Sequence, residues 1–237
     1  MSQEKAEKNK NDLLVSTAKS IVGVVPFAGP LLSELIGTLI PNQRIDRLSK
    51  YVNELDKKLL RFKVSYIKRE IQNEECSDLF EEGFRQAARA LTDDRKQYIA
   101  SIIQNSLDEE HISYAESKHL MQILQELNDI EIIWLRSYQD PTLGGDKEFR
   151  EKHKDILKSV HAHIGASQGV LDKDALQRSY KEHLERLGLI QAHYNLDRET
   201  GLPEFDRFSG KQKASYYDTS SLGRLLLKHI GLIDENS

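Results

Sequence analysis

The chain of 237 residues contains a single cysteine, Cys76, and only 5 prolines and 1 tryptophan. One cysteine excludes an internal disulfide and any zinc site built from two or more thiolates, and it is typical of a reducing compartment. A composition of 38% hydrophobic and 30% charged residues excludes a fibrous or low-complexity protein. The net charge of −4 gives the chain no overall attraction to nucleic acid or to anionic lipid.

The sequence also lacks recognisable motifs for catalysis, phosphate binding and metal binding. Gly144 and Gly145 are followed by charged residues and do not form a phosphate-binding loop. His161 and His163 lie in an apolar pattern that predicts a helix, where they would point about 200° apart and could not share a metal ion. We therefore expect no cofactor, no metal and no enzyme activity.

An apolar segment near the N-terminus is the most unusual feature of the sequence. Between Lys19 and Arg44 the only charged residue is Glu34. Prolines at positions 26 and 30 interrupt helix formation, so residues 13–41 are predicted to form a hairpin of two short helices. The second helix would be about 17 Å long, which is too short for a hydrocarbon core of about 30 Å.

Two interpretations of the 13–41 hairpin remain open. Its apolar stripes could fill a helical core, or the hairpin could lie at a membrane interface or contact a partner protein. Both interpretations are compatible if the hairpin is buried in the resting protein and is released by a trigger. The protein is then expected to be cytoplasmic, with peripheral association at the inner membrane. The residues predicted to contact lipid or a partner are Phe27, Leu31, Leu32, Ile36 and Leu39.

Residues 1–140 are predicted to form a helical domain. A heptad seam predicts one helix from Arg44 to about Glu70, packed within the chain or, alternatively, forming a homodimer through residues 45–66. Ser77, Thr92 and the Ser113–Glu116 capping box predict the starts of three more helices. The expected core positions are Ile45, Leu48, Val52, Leu55, Leu59, Phe62, Tyr66, Leu79, Phe80, Phe84, Ala87, Ala88, Leu91, Tyr98, Ile99, Ile102, Ile103, Leu107, Leu120, Ile123, Leu124, Leu127, Ile130, Ile133 and Trp134.

A stretch with one proline and two glycines, residues 139–146, predicts a domain boundary. Beyond it, Asp146 is expected to cap a helix to about His163, and Asp172 another to Leu187. Alternating apolar residues from Ile190 to Leu196 then predict a strand, with a return strand at 213–219 and a last helix capped by Thr219. This order resembles a winged helix, so residues 146–237 are expected to form a winged-helix-like module with a small β-hairpin.

The charge of this module argues against nucleic acid as its partner. Residues 146–237 contain 15 basic and 15 acidic side chains, whereas a DNA-binding domain is usually basic. If the module did bind nucleic acid, Lys173, Arg178 and Lys181 on the candidate recognition helix would make the contacts. A protein contact or a structural role is favoured.

Several segments together are similar to the bacterial Abi-alpha-like family, which is associated with abortive infection and phage defence. They are Gly-Pro-Leu-Leu-x-Glu-Leu-x-Gly at 29–37, Arg44 and Arg47, FEEGFRQAARAL at 80–91, HLMQILQELNDIEIIWL at 119–135, and LERLGLI and LGRLLL near the C-terminus. The resemblance implies a non-enzymatic component of antiphage defence, acting at a membrane or a partner protein through the 13–41 hairpin. The alternatives are a winged-helix transcriptional regulator and a scaffold or immunity-type binding module.

Overall fold

The computed structural model describes residues 42–108, 112–140, 146–163, 165–197, 200–205, 210, 212 and 214–234, with side chains from residue 46 onward. The 13–41 hairpin and its five predicted contact residues lie outside the described residues, so those predictions stay predictions. Within the part of the chain that the structure describes, no helix is both long enough and apolar enough to cross a membrane.

The described chain is mainly helical with one small antiparallel hairpin, which confirms the predicted fold class at that level. Contacts divide it into two units. Unit 1 extends to Gln125 and includes His229–Gly231, and unit 2 contains Glu126–Lys228 and the residues from Leu232. The elements in chain order are α1 (Asn42–Leu59), α2 (Val64–Glu70), α3 (Glu74–Arg89), α4 (Asp93–Ser106), α5 (Tyr114–Glu126), α6 (Asp129–Ser137), α7 (Lys147–Lys152), α8 (Lys154–Leu157), α9 (Gln168–Arg186), β1 (Ile190–Tyr194), β2 (Ala214–Thr219) and α10 (Ser221–His229).

The heptad seam packs inside unit 1. Leu48, Val52 and Leu55 are almost fully buried, and α1 contacts α3 and α4. The helix ends at Leu59 and not near residue 70, so the prediction of one long helix is wrong beyond Leu59. The turn after Leu59 lets the hydroxyl of Tyr66, on α2, donate to the Leu107 carbonyl at 2.7 Å. Because the chain itself covers the seam, these side chains offer little surface to a second copy.

Helix α3 begins earlier than predicted. The Asn73 side chain accepts hydrogen bonds from the backbone N–H groups of Glu75 and Cys76, so Asn73 is the N-cap and the assignment of Ser77 is wrong. The predicted core residues of α3 are buried, whereas Leu91 is 79% exposed because the helix has already ended at Arg89. The buried α3 residues among those predicted are Leu79, Phe80, Phe84, Ala87 and Ala88.

A glycine allows α3 to pack closely against α1 and α4. A Cβ atom at Gly83 would lie 2.6 Å from Ile103 Cδ1 and 2.9 Å from the Tyr51 hydroxyl. The Tyr51 and Phe84 rings meet edge to face, with their centroids 5.5 Å apart. Such edge-to-face pairs add to the stability gained from burial. Unit 1 therefore has a tightly packed core at the crossing of three helices.

The predicted caps of α4 and α5 are confirmed, but the long helix that follows is not continuous. Thr92 accepts from Arg95 N at 3.2 Å, and the reciprocal Ser113–Glu116 bonds are present. A second capping box at Asn128 and Glu131 starts α6 as a separate helix. The boundary between the two units lies close to this break, whereas the sequence placed it at 139–146.

Three predicted helix caps in the C-terminal half do not form as predicted. Asp146 occupies the N-cap position of α7, but its carboxylate makes no capping bond and pairs with Arg136 at 2.8 Å. Residues 158–163 are not helical, so the helix expected to reach His163 is wrong there. Helix α9 begins at Gln168, upstream of Asp172. Ser220, rather than Thr219, accepts the capping bond of α10, from Gly223 N at 3.0 Å.

The predicted β-hairpin near the C-terminus is confirmed. Strands β1 and β2 pair antiparallel, with Ile190 opposite Thr219 and Ala192 opposite Tyr217. Isolated bridges extend the pairing beyond the strands, from Leu196 to Pro203 and from Phe205 to Gln212.

Candidate partner-binding groove

An open groove in unit 2 lies between helix α9 and the hairpin. Its volume is about 580 Å³, within the range of roughly 300–1,000 Å³ found for binding sites. The helix wall and the hairpin wall carry different chemistry. The lining residues are Arg178, Lys181, Glu182, Glu185 and Arg186 from α9, and Tyr194, Gln212 and Tyr217 from the hairpin region.

The helix wall is a single charged stripe. Its residues are spaced three and four apart, which places them on one face of α9. Leu171 lies seven residues before Arg178, two turns along the same face, and is 39% exposed. Of the 19 residues of α9 only Leu184 is buried. Most of this helix therefore faces solvent.

The side chains of the hairpin wall become more exposed to solvent along strand β1 and beyond it. The apolar face that the sequence predicted starts at Ile190, which is 3% exposed, and continues through Tyr194 at 39% to Leu196 at 60%. Phe205, 56% exposed, lies opposite Gln212. The near end of this face packs in the core of unit 2, and the far end is open. A large apolar surface left open at one site is typical of a contact for another molecule.

The two walls meet where Lys181 lies over the ring of Tyr217, with Nζ 4.7 Å from the ring centroid. Burial, together with the nearby carboxylates of Glu185 and Glu182, raises the pKa of Tyr217. The phenol therefore stays neutral at ordinary pH and can serve as a hydrogen-bond donor at the base of the groove.

Two side-chain contacts hold α9 in position. His183 Nδ1 lies 2.7 Å from Oε1 of Glu131, whose side chain is 5% exposed and also takes part in the α6 capping box. The side chain of Gln177 donates to Lys158 O at 2.8 Å and accepts from Val160 N at 2.9 Å, both in the segment that precedes α9. These bonds fix the middle and the C-terminal half of α9, so the groove has a defined helix wall.

The outer face of the hairpin carries a separate cluster. His193 stacks on Tyr216 with ring centroids 4.4 Å apart, and its Nε2 lies 3.0 Å from Asp218 Oδ1. Among the described residues, no three His, Cys, Asp or Glu side chains are close enough together to hold a metal ion. His161 and His163 are exposed.

Cys76 in unit 1 is fully buried, and burial raises the pKa of its thiol to about 12. A thiol with such a pKa remains protonated at neutral pH and is a poor nucleophile. The nearby Tyr114 hydroxyl donates to Glu70 Oε2 at 2.7 Å. This cluster is explained by packing.

The structure brings together two of the three residues predicted for the nucleic-acid alternative. Arg178 and Lys181 line the groove, whereas Lys173 lies five residues before Arg178, about 140° around the helix. The sequence analysis missed Tyr217 and Gln212 as lining residues. The alternation from Ile190 to Leu196 was the available signal, because a strand face of that length needs a cover.

The lining limits what the groove can bind. Arg178 already pairs with Asp174 at 3.0 Å, and the helix wall carries acidic residues next to basic ones. A polyanion would meet Glu182 and Glu185 next to the basic groups, while a protein segment with both charge signs and apolar residues would match all of the lining. No protein-family model, curated protein or solved structure was found to match this chain.

Proposed function

We propose that this protein is a non-enzymatic component of bacterial antiphage defence that binds a partner protein through the groove between α9 and the hairpin. The observation that supports binding is the apolar strand face, whose exposure rises from 3% at Ile190 to 60% at Leu196. The defence role comes from the sequence resemblance. The 13–41 hairpin would act on the membrane or on the partner.

We also propose that unit 2 is a winged-helix-like module. Its order of α6, two short helices, α9, hairpin and α10 supports this assignment. A further support is the backbone bond from Thr219 N to Tyr138 O at 3.3 Å, which places the chain after α6 beside β2, as the first short strand of a winged helix would be. In this arrangement α9 and the hairpin are the two contact elements.

Phage plating on bacteria that express the protein tests the proposed function. Leu196→Asp places a charge on the open strand face and should abolish protection while leaving the protein folded. Leu176→Asp is the matched control, because Leu176 is 53% exposed and lies two residues from Arg178, about 200° around α9. Equal protection by the two variants, at equal protein levels, would contradict a role for the groove.

Nucleic-acid binding is the second candidate, and the presence of Arg178 and Lys181 beside Tyr194 and Tyr217 favours it. Fluorescence anisotropy with duplex DNA should then show an affinity that falls steeply with salt. Lys181→Gln would weaken it, and Lys173→Gln on the other side of the helix would not. Absence of binding at low salt would eliminate this candidate.

A further inference from the structure

Four of the five charged residues of the helix wall are arranged antisymmetrically, and the fifth, Arg186, lies outside this arrangement. Arg178 and Lys181 come first along α9, and Glu182 and Glu185 follow. Arg178 lies as far before the midpoint between Lys181 and Glu182 as Glu185 lies after it, so each basic residue has an acidic counterpart. A helix with this arrangement is complementary to a second copy of itself that runs antiparallel along the same face.

We propose that a second copy of this chain occupies the groove and forms a two-fold symmetric dimer. In a two-fold interface the same patch is used by both subunits, and each contact occurs twice. Arg178 of one copy then faces Glu185 of the second copy, and Lys181 faces Glu182, which gives four opposite-charge pairs. This inference rests on the proposed function, because it names the partner of the same groove.

Apolar residues beside the stripe support this arrangement. Leu171 and Tyr194 are each 39% exposed. Leu171 lies two turns before Arg178 on α9, and Tyr194 lines the groove from β1. In the antiparallel dimer Leu171 of one copy approaches the hairpin of the other, which covers apolar surface on both copies. The seam on α1 is already buried within unit 1, whereas the groove face of α9 is open.

Charge reversal tests the dimer through its mass in analytical ultracentrifugation. The wild type is expected at twice the chain mass. One variant carries Arg178→Glu and Lys181→Glu, and another carries Glu182→Lys and Glu185→Lys. Each variant alone should be monomeric, because every pair in its own dimer becomes repulsive. We expect the dissociation constant to rise at least about 100-fold.

Mixing the two variants should restore a dimer, since all four pairs then join opposite charges. Restoration also shows that each variant is folded. Lys173→Glu, on the other side of α9, should leave the dimer unchanged. A monomeric wild type, or variants that dimerise alone as well as the wild type does, would overturn the dimer. If Leu196→Asp nevertheless abolishes phage protection, the groove binds a different protein and the proposed function stands.

Discussion

The two units differ in how completely they bury the helices that form them. In unit 1, α3 has 8 buried residues out of 16 and α4 has 7 out of 14, whereas α9 of unit 2 has 1 out of 19. The cores formed by α3 and α4 need no further molecule to cover them. Helix α9 is held by a few specific bonds and keeps one face open. The comparison shows a closed helical core in unit 1 and an open helix face in unit 2, and the open face is where we place the proposed contact surface.

The largest expected effect separates the buried core of unit 1 from the exposed surface of α9 in unit 2. Phe84→Ala in α3 removes a ring that is 1% exposed and should lower the free energy of unfolding by about 3–5 kcal/mol. Leu176→Ala in α9, at 53% exposure, should change it by less than about 0.5 kcal/mol. Urea denaturation followed by circular dichroism measures both. Similar losses would contradict the difference in burial.

Helix caps should cost the same in both units, because they act locally. Asn73→Ala in unit 1 and Asn128→Ala in unit 2 each remove a side-chain acceptor for N-terminal N–H groups. We expect each to lower the free energy of unfolding by about 1 kcal/mol. A much larger loss for Asn128→Ala, measured in the same denaturation experiment, would show that the α6 cap also supports α9 through Glu131.

A last effect, similar in size to that of a helix cap at neutral pH, depends on pH and involves residues of unit 1. The hydrogen bond from Tyr114, helped by Arg69, holds the pKa of Glu70 below its ordinary value of 4.5. The resulting stability is present above that value and is lost as the pH falls through the lower pKa of the folded state. Tyr114→Phe should cost about 1 kcal/mol at neutral pH and progressively less below pH 4.5. A constant difference in unfolding free energy across this range would contradict the assignment.

The sequence predicted the helical class, the β-hairpin and those helix caps for which it offered only one candidate residue. Thr92 and the Ser113–Glu116 box are examples. It failed where two signals conflicted: the apolar pattern runs through Asn128 and concealed a second capping box with the same reciprocal bonds. Ser77 and Asn73 are both good N-cap residues, and only the position of the preceding turn decides between them.

The groove could be predicted only in part. The alternation from Ile190 to Leu196 showed that one strand face is apolar, but the point along the strand where its cover ends depends on tertiary packing. The sequence predicted that Arg178 and Lys181 lie on one helix, but which charged residues of that helix line a groove depends on where the hairpin packs. Local sequence patterns do not show how far apart α9 and the hairpin lie, so they cannot predict a groove between them.

Amide hydrogen exchange of the wild-type protein over a range of concentrations tests the central claim that unit 1 is closed and unit 2 is completed by a partner copy. Protection in α3 and α4 should be high at every concentration, since exchange there requires unfolding of a buried core. Protection along α9 should be low in dilute protein and should rise with concentration. Protection of α9 that equals that of α3 in dilute protein and does not change on concentration would contradict the account.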